Sequence, residues 1–429
     1  MKSKIYIITI ICLLLSAVTV YAAESDQKMV LSKEDVIELA FKNNHDIIKL
    51  EKDLEIAEEG LKGVKANFYP KISLNTIYTI NSEQQLSTMS KDSYTFDLGL
   101  QQPLFMGGQI IAGYEQVKKN FEMNKLQLED KKQEIRNQVL NQYYQILQSK
   151  KMLEVNQQNI STIERYLEIA QIKKEVGIMT NTDVLRAQID LNKGKQSLLQ
   201  IKNSLKLSKL RLKNDLGIRK DIKLILDDEL TWQEVNLTEA EVREYAFANR
   251  LDLQILDLRE DVLELEIDKA KGTRYPTLNL SSNYSTMGDS LKFDDGNFKV
   301  SLMLSYDIFD GGAKDSKVEQ AKKELEQFNI TEEQTVNNIG LAIQESLLKV
   351  SETREYIELA ELSLTQAKEN LRQNEIQYQE GLLSSFYVLE AQSTFKQAQT
   401  EYYKAVYNYN LAVANLERVM GESAVISEE

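Results

Sequence analysis

The chain has 429 residues, of which only 3 are proline and 17 glycine, so it must hold long uninterrupted elements. Lysine plus arginine total 52 against 66 acidic residues, and the net charge of −14 offers nothing to a nucleic acid. A single histidine and a single cysteine exclude a multi-Cys/His metal cage and a disulfide framework.

Residues 1–22 read as a signal peptide. Lys2 and Lys4 precede an apolar run from Ile5 to Val20, and Val20-Tyr21-Ala22 forms a small-residue cleavage site before Ala23. A retained membrane anchor is the competing reading, and the small-x-small ending favours cleavage. Cys12 lies inside the apolar run, which does not fit a lipoprotein start. No later run of about 18 apolar residues exists, so an exported chain without a transmembrane helix is expected.

The rest is one unit written twice. Leu31-Ser-Lys-Glu-Asp-Val-Ile-Glu-Leu-Ala-Phe-Lys-Asn43 has a counterpart in Leu237-Thr-Glu-Ala-Glu-Val-Arg-Glu-Tyr-Ala-Phe-Ala-Asn249. Tyr69-Pro70 recurs as Tyr275-Pro276, Phe105-Met-Gly-Gly108 as Phe309-Asp-Gly-Gly312, and Leu216-Gly217 as Met420-Gly421. Val176-Gly177, with Val184-Leu185 after it, matches Glu380-Gly381 with Val388-Leu389. This period is far longer than the 20–50 residues of a solenoid repeat. The expected organisation is signal peptide 1–22, first repeat 23–216, equatorial link 217–236, second repeat 237–421 and tail 422–429.

Each repeat begins with a helix, residues 31–68 in the first. Ile47, Leu50, Leu54, Ala57, Leu61, Val64 and Phe68 follow heptad spacing, as in a coiled coil. Leu253, Leu256, Leu263, Ile267 and Ala270 repeat it. Beyond each Gly-Gly pair a proline-free stretch runs to Gly177 or Gly381; residues 109–176 would make one helix about 100 Å long. Shorter helices over 182–216 and 386–420 complete the repeats, and the economical packing sets short helices beside long ones.

Between these helices the period changes to 2. Ile72, Leu74, Tyr78 and Ile80 alternate with Ser73, Asn75 and Thr79, and Tyr94, Phe96, Leu98 and Leu100 with Thr95, Asp97, Gly99 and Gln101. The second repeat alternates Leu278, Leu280 and Tyr284 with Asn279, Ser281 and Asn283, and Phe298 to Tyr306 with Lys299 to Asp307. Runs of about 10 residues with one apolar face suit tilted membrane-crossing strands. A half-exposed sheet in a soluble protein would alternate in the same way, but the helices leave no separate apolar layer to cover it. Four strands cannot close, since bacterial barrels need at least eight, and an open edge in lipid costs several kcal/mol per unpaired group. The barrel must therefore be shared between chains, with the loops Asn81–Asp92 and Ser285–Asn297 outward and the helices on the periplasmic side.

With these features the chain resembles the TolC family of outer-membrane efflux and secretion channels. The resemblance covers the whole mature chain. It rests on the duplication, the Ala-Phe-x-Asn signatures Ala40–Asn43 and Ala246–Asn249, the Tyr-Pro strand entries, the Phe-x-Gly-Gly exits and the Gly-x-x-[Ser/Thr]…Val-Leu turns. Where the family often has proline after its Asn-Asn or Asn-Arg pair, His45 and Leu251 stand, a change expected to alter a local helix bend. The resemblance implies a mainly α chain with a transmembrane β-barrel: a homotrimer sharing a 12-stranded barrel in outer-membrane lipid, and a tapering periplasmic helical tunnel. It also implies docking on a periplasmic adaptor protein joined to an inner-membrane transporter.

The hairpin tips carry the candidate site. Gly177 and Gly381 suit helix C′ positions, and Thr180 with Asp183 suits a helix N-terminal box. Ile178, Met179, Leu382 and Leu383 are apolar residues at these tips, either a partner surface or residues packed inside the turns; the resemblance makes them adaptor-docking tips. It also implies a periplasmic gate in which Thr182 and Asp183 face Tyr378 across the bundle and Glu390 supplies one acidic constriction ring. Tyr387, counted with the gate residues, stands at the family's other acidic position and Leu383 where the better-known members carry a basic residue, so the resemblance does not carry over one acidic ring or the salt-linked part of the lock. A ring of Glu390 side chains would favour cations; the plain alternative is a solvated helix charge.

Elsewhere, His45 reads as a surface or capping residue, Trp232 as part of an equatorial collar, Asp227-Asp228-Glu229 as a solvated charge cluster, and tyrosines 402, 403, 407 and 409 as packing. No nucleophile–base pair, phosphate loop or metal cluster is present, so neither an enzyme nor a cofactor is expected. A passive trimeric exit duct for an efflux pump or type I secretion system is the expected function. The alternative is a periplasmic coiled-coil adaptor or structural protein, which would have one helical hairpin rather than two. Drugs, metal ions and polypeptides all remain open as cargo.

Overall fold

The computed structural model describes residues 28–80, 92–288 and 296–421. The signal peptide, most of the two outward loops and the tail 422–429 lie outside the described residues. The elements are β1 (Lys28–Leu31), α1 (Lys33–Asn43), α2 (His45–Lys65), β2 (Lys71–Ile80), β3 (Asp92–Phe105), α3 (Gln109–Glu175), α4 (Asn181–Asp215) and β4 (Lys223–Leu226). The second repeat supplies α5 (Glu239–Asn249), α6 (Leu251–Gly272), β5 (Thr277–Gly288), β6 (Asn297–Ser305), α7 (Ala313–Gln379) and α8 (Ser385–Met420). Both long helices have 67 residues. Their length follows from the absence of proline and of positive-φ glycine between the Gly-Gly pairs and the tips.

The first helix of each repeat differs from expectation: it is two helices rather than one. The chain breaks at Asn44 (φ −66°, ψ 128°) and at Arg250 (φ −65°, ψ 123°). The break holds without proline because the residues there terminate other helices. Asn43 and Asn44 donate from their side-chain amides to the Leu216 and Asp215 carbonyls at the end of α4, at 3.2 and 3.3 Å. Arg250 donates to the Val419 carbonyl at the end of α8, at 2.7 Å. These acceptors are among the carbonyls a helix leaves unsatisfied at its C-terminus. The entry caps are also duplicated: Ser32 with Asp35, and Thr238 with Glu241, form complete capping boxes.

The chain divides into two compact units. The first draws on residues up to Asn44, Val139–Thr231 and Glu361–Tyr407. Here β1 and β4 form a two-stranded parallel ladder from Lys28↔Lys223 to Leu31↔Leu226. The alternation pattern gives no strand in either place, because four residues are too few to show a period. The acidic run that follows is not simply solvated, contrary to the sequence reading. Asp228 accepts hydrogen bonds from the Tyr143 hydroxyl and, at 3.3 Å, from the Lys33 N–H. Tyr143 is fully buried, and burial beside that carboxylate pushes its phenol well above the ordinary tyrosine range. Further along, α4 packs on α3 through Ile160, Ile163 and Leu191.

The second unit draws on His45–Gln138, Trp232–Ala360 and the chain from Asn408. It holds a four-stranded antiparallel sheet in the order β2-β3-β5-β6, so the two repeats join through β3 and β5. β5 runs to Gly288, three residues beyond the expected start of its loop. A register shift between Pro103 and Phe105 falls where proline has no N–H to give the ladder. At the exit from β3, Gly107 has φ 61°, and a Cβ there would stand 2.1 Å from the Gly272 carbonyl oxygen. Only glycine fits, which explains the Gly-Gly signature in this repeat. Alongside, Gln116 donates to the Val262 carbonyl and Glu266 carboxylate, and Lys119 pairs with Asp261 at 2.8 Å. These contacts fix α6 on the first turns of α3. Arg136 and Glu417 form an ion pair at 2.9 Å with both side chains nearly buried. Trp232 packs edge-on against Tyr409, whose hydroxyl accepts the Val235 N–H at 2.9 Å.

Candidate functional site: strand faces and hairpin tips

The ladder registers decide what the sheet presents. Ile72 pairs with Leu100, Leu74 with Leu98, and Tyr78 with Tyr94. Leu98 continues to Tyr284, Tyr284 to Phe298, and Leu278 to Leu304. Opposite partners share a face, so the apolar sets of all four strands fall on one side. The other side collects Asn75 opposite Asp97, Gly99 opposite Asn283, and Asn283 opposite Lys299. The Asn283 amide reaches the Asp97 carboxylate at 3.5 Å. A one-residue slip in any ladder would have mixed the faces. Every residue of β2, and all but one of β6, is exposed. Among the described residues these two strands pair on one side only.

The hairpin tips lie in the first unit. At the end of α3 the Gly177 N–H bonds to the Lys174 carbonyl and the Ile178 N–H to that of Lys173. At the end of α7 the Gly381 N–H bonds to the Tyr378 carbonyl and the Leu382 N–H to that of Gln377. Both are Schellman turns, with φ of 76° at Gly177 and 78° at Gly381. Thr180 then caps α4, its hydroxyl and N–H both meeting Asp183 Oδ2. These two bonds hold the Asp183 carboxyl below the usual carboxylate range. They leave Oδ1 without a hydrogen-bond partner among the described residues.

The apolar tip residues separate into two kinds. Ile178 and Leu382 are 72% and 70% exposed, while Met179 and Leu383 are half-buried. Met179 packs on the buried cluster of Tyr166, Leu371, Tyr378, Val388 and Ala391. Tyr378 is thus a core residue within one chain. Its ring meets that of Tyr166 edge-on at 6.1 Å, and the Lys173 ammonium stands 4.1 Å from its centroid. Its hydroxyl is buried with no partner among the described residues. Tyr166 donates to Glu375 at 3.0 Å, and burial beside that carboxylate raises its phenol above the ordinary tyrosine range. Within a single chain, no hydrogen bond joins Tyr378 to Asp183 or Thr182 among the described residues. Thr182 and Tyr387 are exposed.

Glu390 is exposed on the wall of a groove between α4 and α8. Arg186, Asp190 and Lys193 line it from α4, and Phe386, Glu390 and Lys396 from α8. Burial pushes the Lys396 ammonium below its ordinary value. Three cations therefore share the groove with two carboxylates, which the motif-based reading missed. The signal was present: 186, 190 and 193 on one helix and 386, 390 and 393 on the other both run at i, i+4, i+7.

Residues 36–217 and 242–422 match the outer membrane efflux protein family, each repeat separately, and the chain belongs to that family. It is an outer-membrane protein that extends into the periplasm and serves as an exit duct in efflux or type I secretion. The family is one of transport ducts. The chain is 22% identical to the outer membrane protein TolC of Salmonella enteritidis over 406 residues, covering 88% of this chain and 79% of that one. It is 23% identical to the alkaline protease secretion protein AprF of Pseudomonas aeruginosa over 183 residues, 42% of this chain and 38% of that one. The outer membrane protein VceC of Vibrio cholerae shares the fold, with a TM-score of 0.77 at 17% identity over 91% of this chain and 96% of that one.

Proposed function

We propose that three copies of the chain close one 12-stranded barrel, and that the channel is a passive conduit gated at its hairpin tips. One observation carries the reading: four strands in a register that separates an apolar from a polar face, with β2 and β6 each unpaired on one edge among the described residues. In lipid those edges must be paired. Joining β6 of one copy to β2 of the next satisfies them, and three copies leave room for a water-filled lumen lined by Asp97, Asn283 and Lys299.

The gate lies at the Schellman turns. Among the described residues Asp183 Oδ1 has no donor and the Tyr378 hydroxyl no acceptor, so a bond between neighbouring hairpins of the assembly suits both. The exposed Ile178 and Leu382, with Gly177 and Gly381 setting the turns, form the docking tips for a periplasmic adaptor. The half-buried Met179 and Leu383 support them. An inner-membrane transporter supplies the energy, and opening relaxes the hairpins. Glu390 lies beside three cations, so its contribution to cation preference is moderate.

The test is the native mass of the mature protein extracted in mild detergent, followed by conductance in a planar bilayer. A trimer that conducts supports the proposal. A folded monomer would overturn it.

A further inference from the structure

The groove between α4 and α8 has features that a solvated helix surface does not need. Its volume is about 450 Å³, inside the range of about 300–1,000 Å³ found for small-molecule clefts. Its floor is buried yet polar. Asn159 of α3 and Gln392 of α8 are each 6% exposed, and the Gln392 amide donates to the Asn159 side-chain oxygen at 3.3 Å. Among the described residues no bond uses the Asn159 Nδ2 donors or the Gln392 Oε1 acceptor. Buried amide groups in that condition lower the free energy by finding a partner. Gly194 lines the groove from α4 without a side chain, and a Cβ there would stand 3.1 Å from Ile160. The charges are also unevenly matched. Lys193 pairs with Asp190 at 3.6 Å, which removes one cation from the count. Arg186 lies 4.6 Å from the centre of the Phe386 ring, and Lys396 is half-buried. Neither forms an ion pair among the described residues. Burial holds the Lys396 ammonium below its ordinary value. The remaining carboxylate, Glu390, is exposed and screened by water.

We propose that this groove binds a soluble organic anion, an elongated aromatic body carrying one carboxylate or sulfonate. The acid group lies at Lys396 and the Asn159 amide, with the Ser393 hydroxyl as a further donor. Gln392, Ser393 and Lys396 fall within about one turn of α8, so these donors converge. Phe386 stands ten positions before Lys396, about 15 Å along the helix. The body of the ligand therefore runs past Ile163 and Leu389 toward the Phe386 ring, which is 38% exposed. An acid placed there gives Lys396 the counter-charge that its burial lacks, through charge-assisted hydrogen bonds. A cation of the same shape would meet Lys396 and Arg186 and keep only the solvated Glu390 as a partner. The sign of the ligand's charge is thus the discriminating feature. The site lies within one chain and does not depend on how many copies close the barrel.

The test is equilibrium dialysis of the detergent-extracted mature protein against biphenyl-4-carboxylate, with biphenyl-4-methylammonium as the matched cation and empty micelles as background. Saturable binding of the carboxylate at one site per chain supports the proposal. Lys396→Met should weaken it at least about tenfold, Lys396→Arg should retain it, and the ammonium compound should bind at least about tenfold more weakly. Lys396→Met removes a half-buried charge that has no counter-ion, so the melting temperature should not fall. Ser393→Asp, at an exposed position, supplies Lys396 with an internal counter-charge and should weaken binding as much; it stands in if Lys396→Met fails to fold. No saturable binding above the micelle background would overturn the proposal. So would equal binding by wild type and both variants, or a cation that binds as tightly as the anion.

Discussion

Replacing Tyr378 by Phe removes one oxygen atom and leaves the ring in place. Among the described residues of a single chain that oxygen is buried without a partner, a condition costing about 1–3 kcal/mol. If the hydroxyl finds no acceptor in the assembly either, Tyr378→Phe should leave stability unchanged or raise it by about 1 kcal/mol. The proposed gate demands the opposite. A bond from the phenol to Asp183 Oδ1 of the partner subunit would be charge-assisted, worth about 1.5–3 kcal/mol. Losing even the lower figure shifts each lock about tenfold toward opening, and a trimer has three. The expected result is a higher closed-state conductance in planar bilayers and a lower trimer melting temperature. Ser32→Ala is the control: it weakens the α1 cap by about 1 kcal/mol and leaves both Tyr378 and Asp183 intact. If Tyr378→Phe leaves both conductance and melting temperature at the wild-type level, the hydroxyl is not part of the seal. If Ser32→Ala raises conductance as much, a general loss of stability, rather than the lost hydroxyl, explains the effect.

Three further outcomes follow from the described contacts. Tyr143→Phe strips Asp228 of a donor and should cost about 1.5–3 kcal/mol in thermal or denaturant unfolding; because folding raises the Tyr143 phenol above its unfolded value, its contribution is complete below about pH 10 and is lost as pH rises further, so the gap between wild type and variant should narrow in alkali. Glu417→Ala leaves the nearly buried Arg136 without its carboxylate and should cost about 3–5 kcal/mol, whereas replacing both by apolar residues of similar size should cost far less. Glu390→Gln should reduce the K⁺ over Cl⁻ preference of the open channel modestly, with reversal potentials as the measurement, because Arg186, Lys193 and Lys396 already offset the carboxylate.

The sequence by itself determined the periods: 3.5 in the helices, 2 in the strands and a near-constant repeat offset. Each is a local property of backbone geometry, so the long helices, the apolar strand faces and the glycine turns could be read directly. The Schellman turns and the Thr180–Asp183 cap were legible for the same reason, since all their bonds span six residues or fewer. The helix breaks at Asn44 and Arg250 were not, because the groups that stabilise them belong to helices far along the chain. The parallel pairing of Lys28–Leu31 with Lys223–Leu226 joins segments nearly 200 residues apart and too short to show a pattern. Only packing revealed that Asp228 serves Tyr143, that the Tyr378 ring is core while its hydroxyl lacks an acceptor, and that Glu390 faces cations from another helix. These were decided by long-range proximity, which fixes what a polar group must find once water is removed and which no local period records.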